Sequence, residues 1–569
     1  MSDLLKNKKF KIFFSFMIIL LLFFSLAQAE KNNIPLSQAS ILDDIQIKEV
    51  EGGLNLKITL ENKGNQDYKN VKLTTEITGG FLFSPRTVNY TIPQLSHQDS
   101  SNTYTLQTQI IGFGLGILTK KPQISIILYE NNKEIVIGHI EATIFGIRTT
   151  IKDAILNEEN IFDGYTLFTP EYTKNTYLID NKGEIVHQWN GKYIQGMDIT
   201  LLEDGTLVRS DTPYPPHPNL LAGGFTGHIG FYNSNGESIW EYTYSNSEHC
   251  LHHGFEVLPN GNILMIAVEY KTYEQAIEAG RNPNQLKYDK LCPDYLIEVK
   301  PNGSSGGEIV WEWHVWDHLI QDFDSSKENY GEIDNNPELI NINYGEDKAD
   351  FTHINSIDYN EEFDQILLSV REFNEIWIID LSTSTEEAAG HTGGTYGKGG
   401  DILYRWGNPS AYDSGDENDQ QLFAQHDAKW IPKNYPGEGN ILIFNNQVPL
   451  VDEDNPNLRA YSSVIEIRPP VDQNGEYLKF GLAYGPAIPA WSYTSNNVYD
   501  FYSSFLSSAQ RLPNGNTLIL EGNEGRFFEV NEENEIVWQY TNNIGIPNHV
   551  FKIEKYSKDY SGINILLND

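Results

Sequence analysis

The stretch G-E-I-V-W-E-W, from Gly307 to Trp313, decides the fold because five relatives of it recur along the chain. They are G-E-I-V-H-Q-W from Gly183, G-E-S-I-W-E-Y from Gly236, G-D-I-L-Y-R-W from Gly400, G-E-Y-L-K-F from Gly475 and N-E-I-V-W-Q-Y from Asn534. Each opens on a turn residue and runs through an apolar pair to an aromatic side chain, the pattern of a short strand. A second short strand precedes each one: Y-L-I-D ending at Asp180, H-I-G-F-Y from His228, Y-L-I-E-V from Tyr295, I-W-I-I-D from Ile376, V-I-E-I from Val464 and F-F-E-V from Phe527. Successive copies lie 53, 71, 93, 75 and 59 residues apart, which describes a constant unit joined by loops of varying length.

Upstream in each unit a third pattern recurs. It reads H-G-F-E-V-L-P from His253, H-I-N-S-I-D-Y from His353 and H-D-A-K-W-I-P from His426, with Met197, Ser507 and His549 in the same slot of the remaining copies. A four-strand unit repeated six times predicts an all-β fold, a six-bladed β-propeller over residues 151–569, with the histidine strand innermost and the G-E-I-V-W strand outermost. Residues 549–569 are expected to supply two strands, H-V-F-K-I-E-K-Y and G-I-N-I-L-L, and residues 164–189 two more. Together they would complete one blade and remove the free sheet edges. A short helix is expected near Tyr273 to Ala279.

Residues 30–150 change character. L-N-L-K-I-T-L from Leu54, V-K-L-T-T-E-I from Val71, T-Y-T-L-Q-T from Thr103 and I-S-I-I-L-Y from Ile124 alternate between polar turns, which predicts a small antiparallel β-sandwich. No catalytic constellation falls in it, so its expected role is docking or homodimer formation. Ahead of it, Lys6, Lys8, Lys9 and Lys11 precede the apolar run Phe13 to Leu26, and Ala27-Gln28-Ala29 offers a cleavage point before Glu30. Residues 1–29 thus read as a signal peptide, giving an exported chain, periplasmic or extracellular at the cell surface, with no stable membrane span after cleavage. The net charge of −38 argues against nucleic acid as a partner. The two cysteines, Cys250 and Cys292, match no zinc pattern and are candidates for one disulfide in an exported protein.

Ring closure would bring His253, His353 and His426 to one end of a central channel. Asn355, two residues beyond His353, is expected to face the same way on its strand. Arg371 ends I-L-L-S-V-R, the strand after that of His353, and its planar guanidinium suits two oxygens of a tetrahedral anion. Three histidines alone would suit zinc, but an arginine is a poor neighbour for a cation. The pocket therefore reads as one for sulfate or phosphate esters, with no metal and no cofactor.

With these residues in place, the chain resembles the bacterial-type arylsulfate sulfotransferases, six-bladed propellers that move a sulfuryl group between phenols without a nucleotide donor. The resemblance runs through the export signal, the small β-domain and the repeats, including H-H-G-F-E-V-L-P-N-G-N from His252, the run from Phe351 through R-E-F-N-E-I-W-I-I-D, and A-Q-H-D-A from Ala424. It implies that His426 is the nucleophile and forms a sulfohistidine in a ping-pong cycle, and that aryl sulfates and phenols are the small-molecule partners. It further implies that Arg371, Asn355 and His353 hold the sulfuryl oxygens while His253 serves as acid and base. His252 or His253 fills that last place in the doublet; the repeat alignment selects His253. Family members carry a disulfide just ahead of the nucleophile, whereas Tyr396 to Ala424 contains no cysteine here, which puts a dedicated oxidation partner in question.

Two other readings compete. The tryptophan repeats resemble those of quinone-dependent dehydrogenases, although six units, no adjacent cysteine pair and no calcium carboxylate set count against them. A non-catalytic surface propeller binding glycan or protein is the second. G-G-T-Y-G-K-G-G from Gly393 lacks the spacing and the hydroxyl residue of a phosphate loop and reads as a flexible loop.

Overall fold

The computed structural model describes residues 44–97, 102–114, 122–130, 133–156, 161–213, 215, 217–450, 460–479, 481–545 and 547–568. The signal peptide expected over residues 1–29 lies outside them. The chain divides into two compact units, residues 1–159 and 160–569. Among the described residues no helix is long and apolar enough to cross a membrane.

In the first unit a three-stranded and a seven-stranded antiparallel sheet share one apolar core. Alternation builds it: Leu56, Ile58 and Leu60 of one sheet and Val71, Leu73 and Ile77 of the other are buried, while Lys72 and Glu76 between them face outward.

The second unit holds six four-stranded antiparallel sheets among the described residues. Their leading strands are Ile194–Leu201, His249–Val257, Ile354–Asn360, His426–Trp430, Ser508–Arg511 and Val550–Ser557. Each leading strand touches the next, and Val550–Ser557 also touches Ile194–Leu201. The strands next to the leading ones are nearly all buried, for example Ile263–Glu269 and Gln365–Val370, which is why they read as continuous apolar runs.

An indole in four of the six repeats has a definite job. Trp240 donates its indole N–H to the Gly306 carbonyl at 2.8 Å, Trp313 to Gly400 at 2.7 Å, Trp406 to Pro486 at 2.8 Å and Trp538 to Asn181 at 2.7 Å. In each case the acceptor belongs to the neighbouring sheet. The two remaining junctions use His187 against the Ser234 carbonyl at 2.9 Å and Asn534 donating to Ser492 at 3.3 Å. Each indole thus packs its ring and satisfies its one donor on the next sheet, with burial of such a ring worth roughly 1.5–3 kcal/mol.

Two expectations about the strands are corrected. The sheet joining the ends takes three strands from the N-terminal side, Gly164–Pro170, Asn175–Ile179 and Ile185–Asn190, and only Val550–Ser557 from the C-terminal side. G-I-N-I-L-L lies in the helix Ser561–Asn568. Ile563 and Leu566, three apart, are buried against Ile199 and Leu201, while Ile565 and Leu567 are exposed, a helical period hidden in a short apolar run. Likewise the copy at Gly475 is a loop, and Trp491–Tyr493 is the outer strand of its sheet. Tyr477 is drawn away to stack on Tyr404 and to hydrogen bond Gln365 at 2.8 Å. The helix Tyr273–Glu278 is present, capped by Thr272 and Gln275.

Candidate active site

The leading strands do not run straight to their ends. Pairing slips between Leu251 and Phe255, between Ile354 and Ser356, and between His426 and Lys429, a β-bulge in each case. Left-handed backbone accompanies the slips, at φ 50° for His253, 52° for His353 and 52° for Asp427. For residues with a Cβ this costs roughly 1–2 kcal/mol each, and bulges re-aim side chains that regular pleating would send elsewhere. The His253 and His353 rings meet edge to face with centroids 4.8 Å apart. Phe551 lies against both His253 and His426, at 5.7 Å and 6.3 Å.

Arg371 follows the strand Gln365–Val370 and donates its backbone N–H to the His353 carbonyl at 3.2 Å. Its charge presses on His253 and His426 alike. The expected cation is partly compensated, since its guanidinium pairs with the adjacent Glu372, which also holds Lys348 at 2.6 Å.

The three histidines differ in charge because their surroundings differ. Burial, then the Arg371 charge, pulls His426 down to about 3, so its ring is neutral at ordinary pH. Burial and the neighbouring His353 hold His253 well below the usual imidazole range. Burial acts on His353 in the same direction, but the Asp350 carboxylate at 2.6 Å outweighs it and raises that imidazole. Asp350 is itself fixed by the Gly223 N–H at 3.0 Å. His353 therefore holds a proton more readily than His253 or His426 does.

The tautomer of His426 follows from its partners. Its Nδ1 faces the Asn446 Oδ1 at 2.8 Å and the Ala424 carbonyl at 3.1 Å. The amide of Asn446 cannot turn over without loss, because its nitrogen donates to the Ser503 and Leu506 carbonyls at 2.9 and 3.0 Å. Nδ1 must therefore carry the proton, which leaves the lone pair on Nε2.

His252 is buried behind His253. Its Nδ1 is 2.8 Å from the His253 Nδ1, and its Nε2 is 3.0 Å from Asp294 Oδ1. That second contact is close in distance yet poorly aligned for a hydrogen bond. Above the cluster, Gly224 accepts the His253 N–H at 2.9 Å. A Cβ on Gly224 would lie 2.2 Å from the His253 ring, and one on Gly223 2.5 Å from that of His353. The glycine pair is what lets this loop lie over both imidazoles.

Two expectations about single residues change. Asn355 sits in the bulge, where simple alternation with His353 fails; it donates from Nδ2 to the Gln425 carbonyl at 2.7 Å, just before His426. It therefore braces the His426 strand. Cys250 and Cys292 are both free thiols. Their sulfurs are engaged elsewhere, Cys250 donating to the Leu251 carbonyl at 3.3 Å and Cys292 accepting from the Leu221 N–H at 3.4 Å within one apolar cluster. Asp350, Asn446, Asp294 and Phe551 were not anticipated. Asp350 could have been found three residues before His353, and Asn446 at the end of the strand paired with that of His426, the place Arg371 takes one sheet earlier.

Beyond Phe551 lies a cavity of about 210 Å³ lined by Asp198, Glu256, Asp358, Asp427 and Glu554 together with Lys429 and Lys552. Lys552 pairs with Asp198 at 2.7 Å and with Glu554 at 3.3 Å, and Lys429 with Asp427 at 3.0 Å. Five carboxylates against two ammonium groups make this a poor path for an anion.

A family model described as Arylsulfotransferase (ASST) matches residues 150–559. No curated protein matches. Among solved structures, the chain is similar to a protein of unknown function from Bacteroides caccae, at 11% identity and a TM-score of 0.38 over 69% of this chain and 98% of that one. It is also similar to Kuenenia stuttgartiensis hydrazine synthase, at 11% identity and 0.29 over 62% and 78%, and to virginiamycin B lyase from Staphylococcus aureus, at 11% identity and 0.30 over 67% and 86%. Similarity at these scores carries no argument about chemistry. The family match, by contrast, spans most of the chain and every residue of the histidine cluster, and the chain belongs to the arylsulfotransferase family.

Proposed function

We propose that the six sheets form a six-bladed β-propeller, and that the histidine cluster at one end of its channel transfers a sulfuryl group from an aryl sulfate to a phenol through a sulfohistidine, without a nucleotide donor. The observation that carries this reading is His426: a buried neutral imidazole whose Nδ1 is tied to Asn446, so that Nε2 presents a lone pair beside Arg371 and His353. In the first half-reaction Nε2 attacks sulfur, the sulfur–oxygen bond to the aryl group breaks, and the His353 imidazolium gives its proton to the departing phenolate oxygen. Arg371 stabilises the charge on the sulfuryl oxygens as the bond order at sulfur shifts. In the second, the acceptor phenol yields its proton to the now neutral His353, and its oxygen displaces Nε2 from sulfur; the acid and base role that the resemblance implies for His253 passes to His353, whose imidazole Asp350 raises. Enzyme and charge balance are restored at the end of each cycle.

Two structural points favour this over the alternatives. The tryptophan repeats shared with quinone-dependent dehydrogenases are accounted for by sheet-to-sheet hydrogen bonds. A propeller that only binds glycan or protein has no need of neighbouring buried imidazoles whose hold on a proton is pushed in opposite directions. The test is incubation with 4-nitrophenyl sulfate with and without phenol, followed by intact mass. Phenol-dependent nitrophenol release with one sulfuryl adduct, both absent in His426→Ala, is the expected result. Equal release by the variant would overturn the assignment. Export is part of the same proposal, and N-terminal sequencing of protein recovered outside the cytoplasm should begin at Glu30.

A further inference from the structure

Away from the channel, three side chains converge where the sheet led by His249–Val257 adjoins the one led by Ile354–Asn360. His318 closes the turn Val315–His318 after the outer strand Gly307–His314. His391 and Asp401 bracket the glycine-rich segment that precedes the outer strand Tyr404–Trp406. One nitrogen or oxygen from each of the three lies within 4.8 Å of the others. Asp401 Oδ1 is the shared point, 2.8 Å from His318 Nδ1 and 2.7 Å from His391 Nδ1.

His318 exposes the problem that this arrangement poses. Its Nε2 is 2.9 Å from the Ala388 carbonyl, which can only accept, so Nε2 carries the ring hydrogen. The other ring nitrogen meets the Asp401 carboxylate in a fully buried position, a contact that either a second proton on the ring or a cation can complete. His391 Nδ1 reaches the same oxygen, and a single divalent cation among the three atoms would take a lone pair from each. The His391 side chain is 58% exposed, which leaves one side of such a cation open to water.

We propose that His318, His391 and Asp401 form a divalent metal site, with zinc the ion that the donors suit best, and that it clamps the glycine-rich loop to the neighbouring sheet. Two imidazoles and a carboxylate with an open position are a zinc donor set, while nitrogen donors disfavour calcium and magnesium. The clamp has something to hold. Between the two loop ligands, Gly393, Gly394, Gly397 and Gly399 all take positive φ, a backbone with much freedom to lose on ordering. A ligand at each end closes that loop at its base and ties it to His318 on the adjacent sheet. The sulfuryl-transfer steps do not involve this site.

The test uses the full chain, stripped with a chelator, dialysed and titrated with zinc chloride alone by calorimetry, with the visible bands of cobalt(II) as a second readout. The expected result is one zinc per chain and a rise in melting temperature on zinc addition. His391→Ala alters a largely exposed ring, so it should stay folded, lose the cobalt bands and bind zinc at least about tenfold more weakly. His426→Ala should leave zinc binding unchanged. No zinc binding by the folded chain, binding that survives His391→Ala, or binding lost in His426→Ala would each overturn the proposal, the last by locating the metal among the channel histidines.

Discussion

At the scale of single residues, the active-site reading rests on which nitrogen holds a proton. Asn446 fixes His426 by accepting from Nδ1 while its own nitrogen is anchored to two carbonyls. Asn446→Leu should therefore keep the fold yet lower kcat roughly 10²- to 10⁴-fold, the range seen when a catalytic histidine loses its orienting partner. Intact mass would show correspondingly slow sulfuryl loading. The pH profile is a separate check. His426 is neutral down to about 3, so it sets no acid limb in the ordinary range. His353 is raised by Asp350, after burial is offset, and must be protonated to serve the leaving group. Activity should accordingly be present below the His353 pKa and fall as pH rises through it. Asp350→Asn should shift that alkaline limb to lower pH, measured as kcat/KM against pH; an unmoved limb would remove His353 from the acid role.

At the scale of elements, the bulges matter more than the strands. Histidines spaced as a repeat were legible because strand residues alternate and the units recur. Their final directions were not, because a bulge is set by pairing across two strands distant in sequence. This is why Asn355 departs from its expected direction: the register slips between Ile354 and Ser356, next to a left-handed His353. The glycine pair in the covering loop gives an element-level prediction. Gly224→Ala adds a methyl 2.2 Å from the His253 ring and in a backbone of φ 65°, so the loop or the ring must shift. Circular dichroism should remain that of the parent while kcat/KM falls about 10-fold or more, the sensitivity expected for small misplacements of catalytic groups.

At the scale of the whole second unit, two features act beyond any one sheet. The first is closure. Val550–Ser557 pairs with Gly164–Pro170, and Trp538 reaches back to Asn181, so the last segment of chain completes the first sheet. Truncation before Val550 should expose the edge of Gly164–Pro170 and abolish the single cooperative thermal transition seen by calorimetry. The second is the acidic cavity behind Phe551. Asp358 is raised to about 6, above its unfolded value, mainly by burial. In the fold it therefore holds its proton more tightly than in the unfolded chain, and stability declines as pH rises from about 4 through 6. Asp358→Asn keeps an acceptor for the Trp430 N–H and removes that decline. It should gain on the order of 2 kcal/mol near neutral pH and little near pH 4, read from melting temperatures at the two conditions.

Local alternation and recurrence were enough to count the repeated units, to mark most of their strands and to pick out the slot that carries His253, His353 and His426. The sequence also pointed to Arg371, whose place after a repeated strand is visible without coordinates. Tertiary contacts were needed to see that Asp350 raises the His353 imidazole, that Asn446 orients His426 and that Asn355 braces a neighbouring strand. Contacts of the same kind make Gly475 open a loop and the final apolar run a helix. The reason is common to all of these: each depends on a partner from another sheet, and short apolar or polar runs carry no record of which distant surface they will meet. The tryptophans join the two levels, because their recurrence is written in the chain while the carbonyl each one reaches exists only once neighbouring sheets are side by side.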